Sequence, residues 1–287
     1  MDEKQQFYNW WKSNGCRGIS YCENNYDKIT KRTIRKYLKE FEQEGAKKEN
    51  PKQRIVQIND LHIPYHDKKT IEVFLKFLAD VKIDKLVIAG DLLDFYELST
   101  FDKDPKRKFT IQDEIDQCYE MLKEFKKYCP EIHFIKGNHE SRLKRFLWKN
   151  PSLASIKVLE LSKLLNLDTL GIAYHDFEYI FRRFRFTHGS IVRQDSGATA
   201  KAELLKYGGS MASGHTHRLG SYIKTDARGT VGAYEGGCMC DLQPEYIEGV
   251  PNWTQGFLVF DFDGDRFFCQ VVPILEHKFI FGKKKYQ

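Results

Sequence analysis

Asp60 and His62 stand two residues apart in Asn59-Asp60-Leu61-His62, at the close of the apolar run Arg54-Ile55-Val56-Gln57-Ile58. In an extended strand that spacing puts a carboxylate and an imidazole on one face, which is half of a metal site. The remaining donors come later, each at the close of another apolar run. Asp91 lies in Gly90-Asp91-Leu92-Leu93-Asp94, Asn138 in Gly137-Asn138-His139-Glu140, His188 in His188-Gly189, and His215 and His217 in Gly214-His215-Thr216-His217. The seven candidate ligands, Asp60, His62, Asp91, Asn138, His188, His215 and His217, are oxygen and nitrogen donors with no thiolate among them. That mixture suits Mn²⁺ first, with Fe or Zn²⁺ as alternatives, better than Ca²⁺ or a structural zinc. Seven ligands exceed one tetrahedral ion, so two divalent ions sharing a carboxylate is the natural count. Two ions roughly 3.5–4 Å apart polarise a phosphoryl group, activate a water as hydroxide and steady a leaving oxygen. The chemistry this points to is phosphoester hydrolysis. Gly90, Gly137 and Gly214 stand just before ligands, where tight turns and close backbone approach are needed.

The runs between these strings alternate strand and helix. After the first strand, Ile71, Phe74, Leu75 and Leu78 give a helix over Lys69 to Asp80 one apolar face. Lys85 to Ala89 reads as a second buried strand. A charged loop from Phe101 to Lys108 leads to a long helix over Gln112 to Tyr128, then to a third strand over Ile132 to Lys136. This βαβαβ order predicts parallel strands with helices outside and the ligands converging at the strands' C-terminal ends. The second half reads as helical stretches at Leu153 to Asn166 and Ser196 to Tyr207, bracketing strands at Ile172 to His175 and Phe181 to Thr187. Hairpins follow at Thr230 to Gly237, Phe257 to Phe262 and Phe267 to Pro273, with Asp263-Gly264-Asp265 as a turn. A second, mixed sheet packed on the first makes an α/β four-layer αββα sandwich with helices outside.

Residues 1–50 read as a separate small helical domain ahead of the main domain, 51–287. Phe7, Trp10 and Trp11 give a first helix its apolar face, Ser13-Asn14-Gly15 breaks it, and a second piece spans Ile19 to Asn25. Thr30 caps a third helix, Lys31 to Glu44, which Gly45 can stop. In it Ile34, Leu38 and Phe41 fall at helical spacing, while Lys31, Arg32, Arg35, Lys36 and Lys39 populate the surface. Thr33-Ile34-Arg35-Lys36-Tyr37-Leu38 resembles the recognition helix of helix-turn-helix DNA-binding modules; a packing or oligomerisation module with a solvated basic face is the competing reading. Ala46 to Lys52 reads as a linker.

Net charge is +6, compatible with a polyanionic partner. Seven scattered cysteines, an odd number, argue against a disulfide framework. Cys238-Met239-Cys240 has the wrong spacing for a zinc knuckle and reads as core-facing strand. No apolar run is long enough to span a membrane and the polar N-terminus has no signal-peptide core. The expectation is therefore a soluble, cytoplasmic protein without a membrane partner, its oligomeric state open and a homodimer compatible.

Together, Asp60-x-His62, Gly90-Asp91-x-x-Asp94, Gly137-Asn138-His139-Glu140, His188 and Gly214-His215-x-His217, in this order, resemble the calcineurin-like metallophosphoesterase superfamily over about residues 54–220. The resemblance implies that superfamily's αββα fold. It implies one ion on Asp60, His62, Asp91 and His217 and another on Asp91, Asn138, His188 and His215, with Asp91 bridging. It also implies a catalytic His139 that stabilises or protonates the leaving oxygen, oriented by Asp94. Arg142 matches the phosphate-gripping arginine of the protein-phosphatase branch, and a planar guanidinium suits paired phosphoryl oxygens. That branch carries Asp-Arg-Gly after its second motif, whereas Asp94 is followed here by Phe95-Tyr96.

The favoured substrate is nucleic acid, DNA in particular, cut as a phosphodiester in the manner of the SbcD-type and phage-encoded nucleases; the host cytoplasm is then the location if the chain is phage-encoded. Nucleic-acid contacts are expected from Lys31, Arg32, Arg35 and Lys36, and from Arg182 and Arg183 in the run leading to His188. A phosphomonoesterase acting on protein or small molecules is the alternative. A DNA-binding regulator with a non-catalytic metal site ranks third. His66, His133, His175 and His277 read as surface or packing histidines, and Trp148 and Trp253 as core or rim aromatics.

Overall fold

The computed structural model describes residues 2–13, 19–47, 51–107, 109–227, 229–244, 247 and 249–287. The chain divides into two compact units, Met1–Pro51 and Lys52–Gln287.

The first unit holds α1 (Glu3–Ser13), α2 (Ile19–Asn25) and α3 (Lys31–Lys47). Its core is Phe7, Cys22, Tyr26, Ile34, Leu38 and Phe41, all buried. The Thr30 hydroxyl accepts from the Thr33 N–H and starts α3 as expected. The helix does not stop at Gly45 but runs to Lys47. Ser13 closes α1, and Asn14 and Gly15 of the expected break and part of the linker lie outside the described residues.

In the second unit, β1 (Gln53–Ile58), α4 (Lys68–Asp80), β2 (Lys85–Ile88), α5 (Ile111–Tyr128) and β3 (Glu131–Ile135) follow the expected order. The α6 helix (Glu140–Lys149) comes directly after the third ligand string. The stretch Leu153 to Asn166 is not a continuous helix. It breaks into single turns, α7 (Pro151–Ala154), a 3₁₀ turn at Lys157–Leu159, α8 (Leu161–Leu164) and α9 (Leu167–Leu170), with Asn166 left-handed between the last two. After β4 (Ile172–His175), the stretch Phe181 to Thr187 is a hairpin arm: β5 (Glu178–Phe181) turns at Arg182 and Arg183 into β6 (Phe184–Thr187). Then come α10 (Ala198–Tyr207), β7 (Met211–Ser213), β8 (Leu219–Asp226), β9 (Gly229–Gly236), β10 (Gly256–Asp263), β11 (Arg266–Pro273), β12 (Phe279–Phe281) and β13 (Lys284–Tyr286).

The first sheet has the order β11-β10-β1-β2-β3-β4, with β1 to β4 parallel and the C-terminal β10–β11 hairpin added antiparallel along β1. That hairpin therefore extends the first sheet, where sequence pattern had suggested the second. The second sheet, β5-β6-β7-β9-β8, is mixed. Alternation along β1 explains the layering: Val56 and Ile58 face α4 and α5, while Ile55 meets Phe184, Phe186 and Tyr234 of the second sheet. On the far side α10 packs Ala200 and Leu204 on Met211 and Ala233. The result is the αββα sandwich, with the C-terminal ends of β1, β2 and β3 opening at one edge.

The loop after β2 is held from behind by α5. Phe95 is buried and left-handed (φ 48°), and its N–H donates to the buried Glu114 carboxylate at 2.6 Å. Burial pushes Glu114 up to about 8, with the Asp94 charge adding to it. The folded chain therefore keeps this proton above the ordinary value of 4.5 where the unfolded chain has released it. Stability from this group is complete below that value and lost as pH rises to 8. Wild type should lose stability relative to Glu114→Gln across this window by up to about 1.4 kcal/mol per pH unit. Urea midpoints of both chains at pH 5, 6, 7, 8 and 9 measure it.

Candidate metal centre

Backbone hydrogen bonds lace the β1 and β2 loops together beyond the strand ends. Ala89 donates to Ile58, Asp60 to Gly90, His62 to Asp91, and Ile63 to Leu92, at 2.8 to 3.1 Å. Keeping this register while aiming side chains inward requires left-handed backbone at Asp60, His62, Asp91, His215 and His217, with φ between 50° and 70°. Each such residue costs on the order of 1 kcal/mol, and five of the seven expected ligands carry it. Gly90 (φ 87°) and Gly137 have no room for a side chain: a Cβ at Gly90 would press on the His188 ring, and one at Gly137 would strike the Asp91 carboxylate.

All seven expected ligands converge. Nε2 of His217 is 3.3 Å from Asp60 Oδ1 and 3.0 Å from His62 Nε2. Asp60, His62 and His217 form one cluster of ligand atoms, and Asp91, His188 and His215 form another. Oδ2 of Asp91 lies between them, 3.8 Å from His62 Nε2 and 3.3 Å from His188 Nε2. Asn138 Oδ1 is 2.9 Å from His188 Nε2. Outer partners aim these rings. Nδ1 of His188 donates to the Ala89 carbonyl at 2.8 Å, which aims Nε2 at Asp91 and Asn138, and Nδ1 of His62 faces Asp94 Oδ1 at 3.2 Å.

The donors fit divalent ions. Separations of 3.0 to 3.3 Å match the edges of a coordination polyhedron with bonds of roughly 2.1 Å. Asp60 Oδ1 is fully buried without a hydrogen-bond partner, a vacancy a cation satisfies. Electrostatics agree. Burial pushes Asp60 and Asp91 up, but the imidazoles beside them (His217; His188 and His139) outweigh it and hold both below the usual carboxylate range. Asp94 behaves likewise through His139 and His62. Burial would deprotonate His188, yet Asp91 raises it to about 10, and Asp60 and Asp94 hold His62 up in the same way. Burial leaves His215 and His217 lowered. A cluster that holds protons on two buried imidazoles is short of positive charge.

The three remaining expected site residues join the centre. His139 Nε2 is 3.8 Å from Asp91 Oδ2 and 3.0 Å from Arg142 Nη2. A guanidinium only donates, so Nε2 accepts; the proton is on Nδ1, which donates to the Asp94 carbonyl at 2.9 Å. Arg142 Nη1 donates to the same carbonyl at 2.8 Å. His62, Asp91, Asp94, Asn138, His139, Arg142, His215 and His217 line one cavity of about 800 Å³, rimmed by Trp253 and Phe101.

Arg182 and Arg183 are not brought to it. They form the β5–β6 turn at the start of β6, whereas His188 follows its end, roughly 17 Å of extended chain away. Arg182 stacks on Phe181 and Phe262. Lys31, Arg32, Arg35 and Lys36 are exposed on α3 in the first unit, where Arg35 pairs with Glu23 at 2.5 Å.

Two features escaped the sequence reading. Glu140 is buried, and its carboxylate accepts from the N–H groups of Asp91, Leu92, Leu93 and Gly137. It stood inside the third string without an assigned role. Cys238 and Cys240 follow β9 rather than lie in it, and both back the centre: Cys240 Sγ is 3.8 Å from His217 Nδ1, and the three form a further cluster of ligand atoms. Cys118, Cys129, Cys238, Cys240 and Cys269 are free thiols, and Cys16 lies outside the described residues. Trp253 packs its ring, tilted by 56°, against His217 (centroids 4.2 Å apart) as a rim residue. His133 packs against Tyr179 and His277 bonds Asp67, as expected of packing histidines.

The model of the calcineurin-like phosphoesterase family matches residues 53–219. The chain is 30% identical to the gene 54 protein of Mycobacterium phage L5 over 247 residues, 79% of this chain and 95% of that protein, and 29% identical to the gene 54 protein of phage D29 over 245 residues, with the same coverage. Among solved structures it is similar to Vps29 of Chaetomium thermophilum (15% identity, TM-score 0.47) and of Cryptosporidium parvum (16%, 0.45), each comparison covering 82% of this chain and 98% of the other. This protein belongs to the calcineurin-like phosphoesterase family. None of its described helices is long and apolar enough to cross a membrane.

Proposed function

We propose that the protein is a dinuclear-metal phosphodiesterase acting on nucleic acid, DNA in particular. The observation that carries the reading is the position of Asp91 Oδ2 between two ligand clusters, with His139 Nε2 at 3.8 Å facing the same cavity. Asp60, His62, Asp91 and His217 would hold one ion and Asp91, Asn138, His188 and His215 the other. Mn²⁺ suits this O/N donor set, with Fe or Zn²⁺ as alternatives, and such ions polarise a phosphoryl group and acidify a water.

The chain's own residues do the rest. The Asp94 carbonyl fixes the His139 tautomer and directs Nε2 toward the opening. Arg142, now donating to that Nε2, moves its fork to a phosphoryl oxygen when substrate enters. The freed Nε2, which carries a lone pair in this tautomer, takes up a proton from solvent and donates it to the leaving oxygen. Asn138 lines two further depressions as well as the central cavity, which leaves room for chain beyond the phosphoryl group. That supports a diester. The exposed Lys31, Arg32 and Lys36 of α3 support a polyanionic partner. Arg142 favours the second reading, a phosphomonoesterase.

Plasmid, single-stranded DNA, RNA, cyclic nucleotides, a phosphopeptide, bis(p-nitrophenyl) phosphate and p-nitrophenyl phosphate should be assayed with Mn²⁺ and with EDTA. The expected result is cleavage of DNA and of the small diester, abolished by EDTA and restored by Mn²⁺. Hydrolysis confined to monoesters overturns the proposal.

A further inference from the structure

Resting on the phosphodiesterase reading, we infer that Trp148 and Phe177, with Lys144, Arg145 and Lys136, form a stacking platform that makes the centre selective for single-stranded nucleic acid. Along α6, Leu143 and Leu147 turn inward, while the i, i+4 pair Lys144 and Trp148 turns outward. Trp148 is 67% exposed and Phe177, in the β4–β5 turn, 79%. Scattered exposed aromatics need no explanation, but these two line one depression of about 620 Å³ whose floor includes Asn138 and His188 of the metal centre. Each ring carries a cation: Lys144 Nζ lies 5.0 Å from the Trp148 ring, and Lys136 Nζ 5.5 Å from that of Phe177. Trp148 also borders a second depression, with Phe101, Arg142 and Lys149, which Asn138 lines too.

Charge favours a phosphate backbone over a neutral ligand. Lys136 is paired with Asp176 and Arg185 with Glu178. Lys144, Arg145 and Lys149, however, make no ion pair among the described residues, and Arg145 donates only to the Ser141 and Asn138 carbonyls. An unpaired strand offers each base's π face, which a duplex hides inside its stack. Aromatic platforms flanked by cations discriminate on that difference, and each stacked base is worth about tenfold or more in affinity.

The test uses the full-length chain with Mn²⁺, a fluorescein-labelled phosphorothioate dT12 that resists cleavage, and a hairpin duplex of equal length. Anisotropy should show the single strand bound at least about tenfold tighter than the duplex. Trp148→Ala and Phe177→Ala should each weaken the single strand about tenfold and the duplex less than about twofold, and Trp148→Phe should restore most of the loss. Equal affinity for strand and duplex, or variants within about twofold of wild type, overturns the inference, as does a phosphopeptide competing equally well. Bis(p-nitrophenyl) phosphate turnover, too small a substrate to reach the platform, reports the diesterase reading separately. Strand-selective binding without diester turnover would sink that reading alone, and turnover without strand selectivity would sink only the platform.

Discussion

Asp91→Asn should bind less than one equivalent of Mn²⁺ where wild type binds two, and should lose turnover by on the order of a thousandfold, the equivalent of several kcal/mol of transition-state stabilisation. The reason is geometric. Asp91 Oδ2 is the oxygen that faces both His62 and His188, and Oδ1 is already committed to the His139 N–H at 2.9 Å. An asparagine that keeps the latter bond turns its amide NH₂ toward both ligand clusters, putting N–H protons where lone pairs are required to hold a cation. His139→Ala separates metal holding from chemistry. Its imidazole makes its polar contacts with Asp94 and Arg142, so both equivalents of Mn²⁺ should remain while turnover falls about 10²- to 10⁴-fold. Calorimetric Mn²⁺ titration beside turnover on bis(p-nitrophenyl) phosphate measures both variants. Two equivalents on Asp91→Asn, or metal loss on His139→Ala, would reverse the two roles.

The parallel half of the fold was legible because its strands are buried on both faces. Lys85-Leu86-Val87-Ile88 and its neighbours are short apolar runs between helices with one apolar stripe, a pattern that admits little else. Legibility failed where tertiary contact overrode local pattern. Phe181 to Thr187 alternates straight through a turn, because Arg182 takes φ 56° without a glycine to announce it, stacked instead on Phe181 and Phe262. Leu153 to Asn166 carries enough leucine for a helix, but Leu161, Leu165 and Leu167 are anchored one turn at a time on the core. The edge strand β8, with alternate residues exposed and half-buried, carries too faint an apolar signal to read as a strand from its sequence.

At the site, side chains that could hold ions are legible because only a few residue types can do so, and here each sits just past a strand. Side chains that act on backbone are not. The N–H groups that Glu140 receives belong to Asp91, Leu92, Leu93 and Gly137, and an N–H is present whatever the side chain, so the pairing leaves no trace in residue type. The support Cys240 gives His217 is equally silent. It depends on β9 ending beside the β1 loop, where Met239 donates to the Asp60 carbonyl, a tertiary fact with no local spacing. The basic Arg182-Arg183 pair shows that nearness to His188 along the chain is not nearness in space, since both residues stand at the far end of β6.

Glu140→Gln tests whether that silent carboxylate holds the centre together. Its Oε1 accepts from Leu92 and Leu93 and its Oε2 from Asp91 and Gly137, at 2.7 to 3.0 Å. Glutamine has one oxygen for these four donors; its NH₂ must face one pair, leaving two buried N–H groups without an acceptor. Each costs about 1–3 kcal/mol. The sum predicts a fall in Tm of roughly 10 °C for a unit of this size. Because the same N–H groups set the path of the loop that carries Asp91, Mn²⁺ affinity should fall about 10- to 100-fold as well, the usual effect of losing an outer partner of a ligand. Scanning calorimetry with and without Mn²⁺, beside a Mn²⁺ titration, reads both quantities. A variant that unfolds within about 2 °C of wild type and binds Mn²⁺ equally well would mean that the two loops hold their left-handed path by the Asp60, His62 and Ile63 backbone bonds alone.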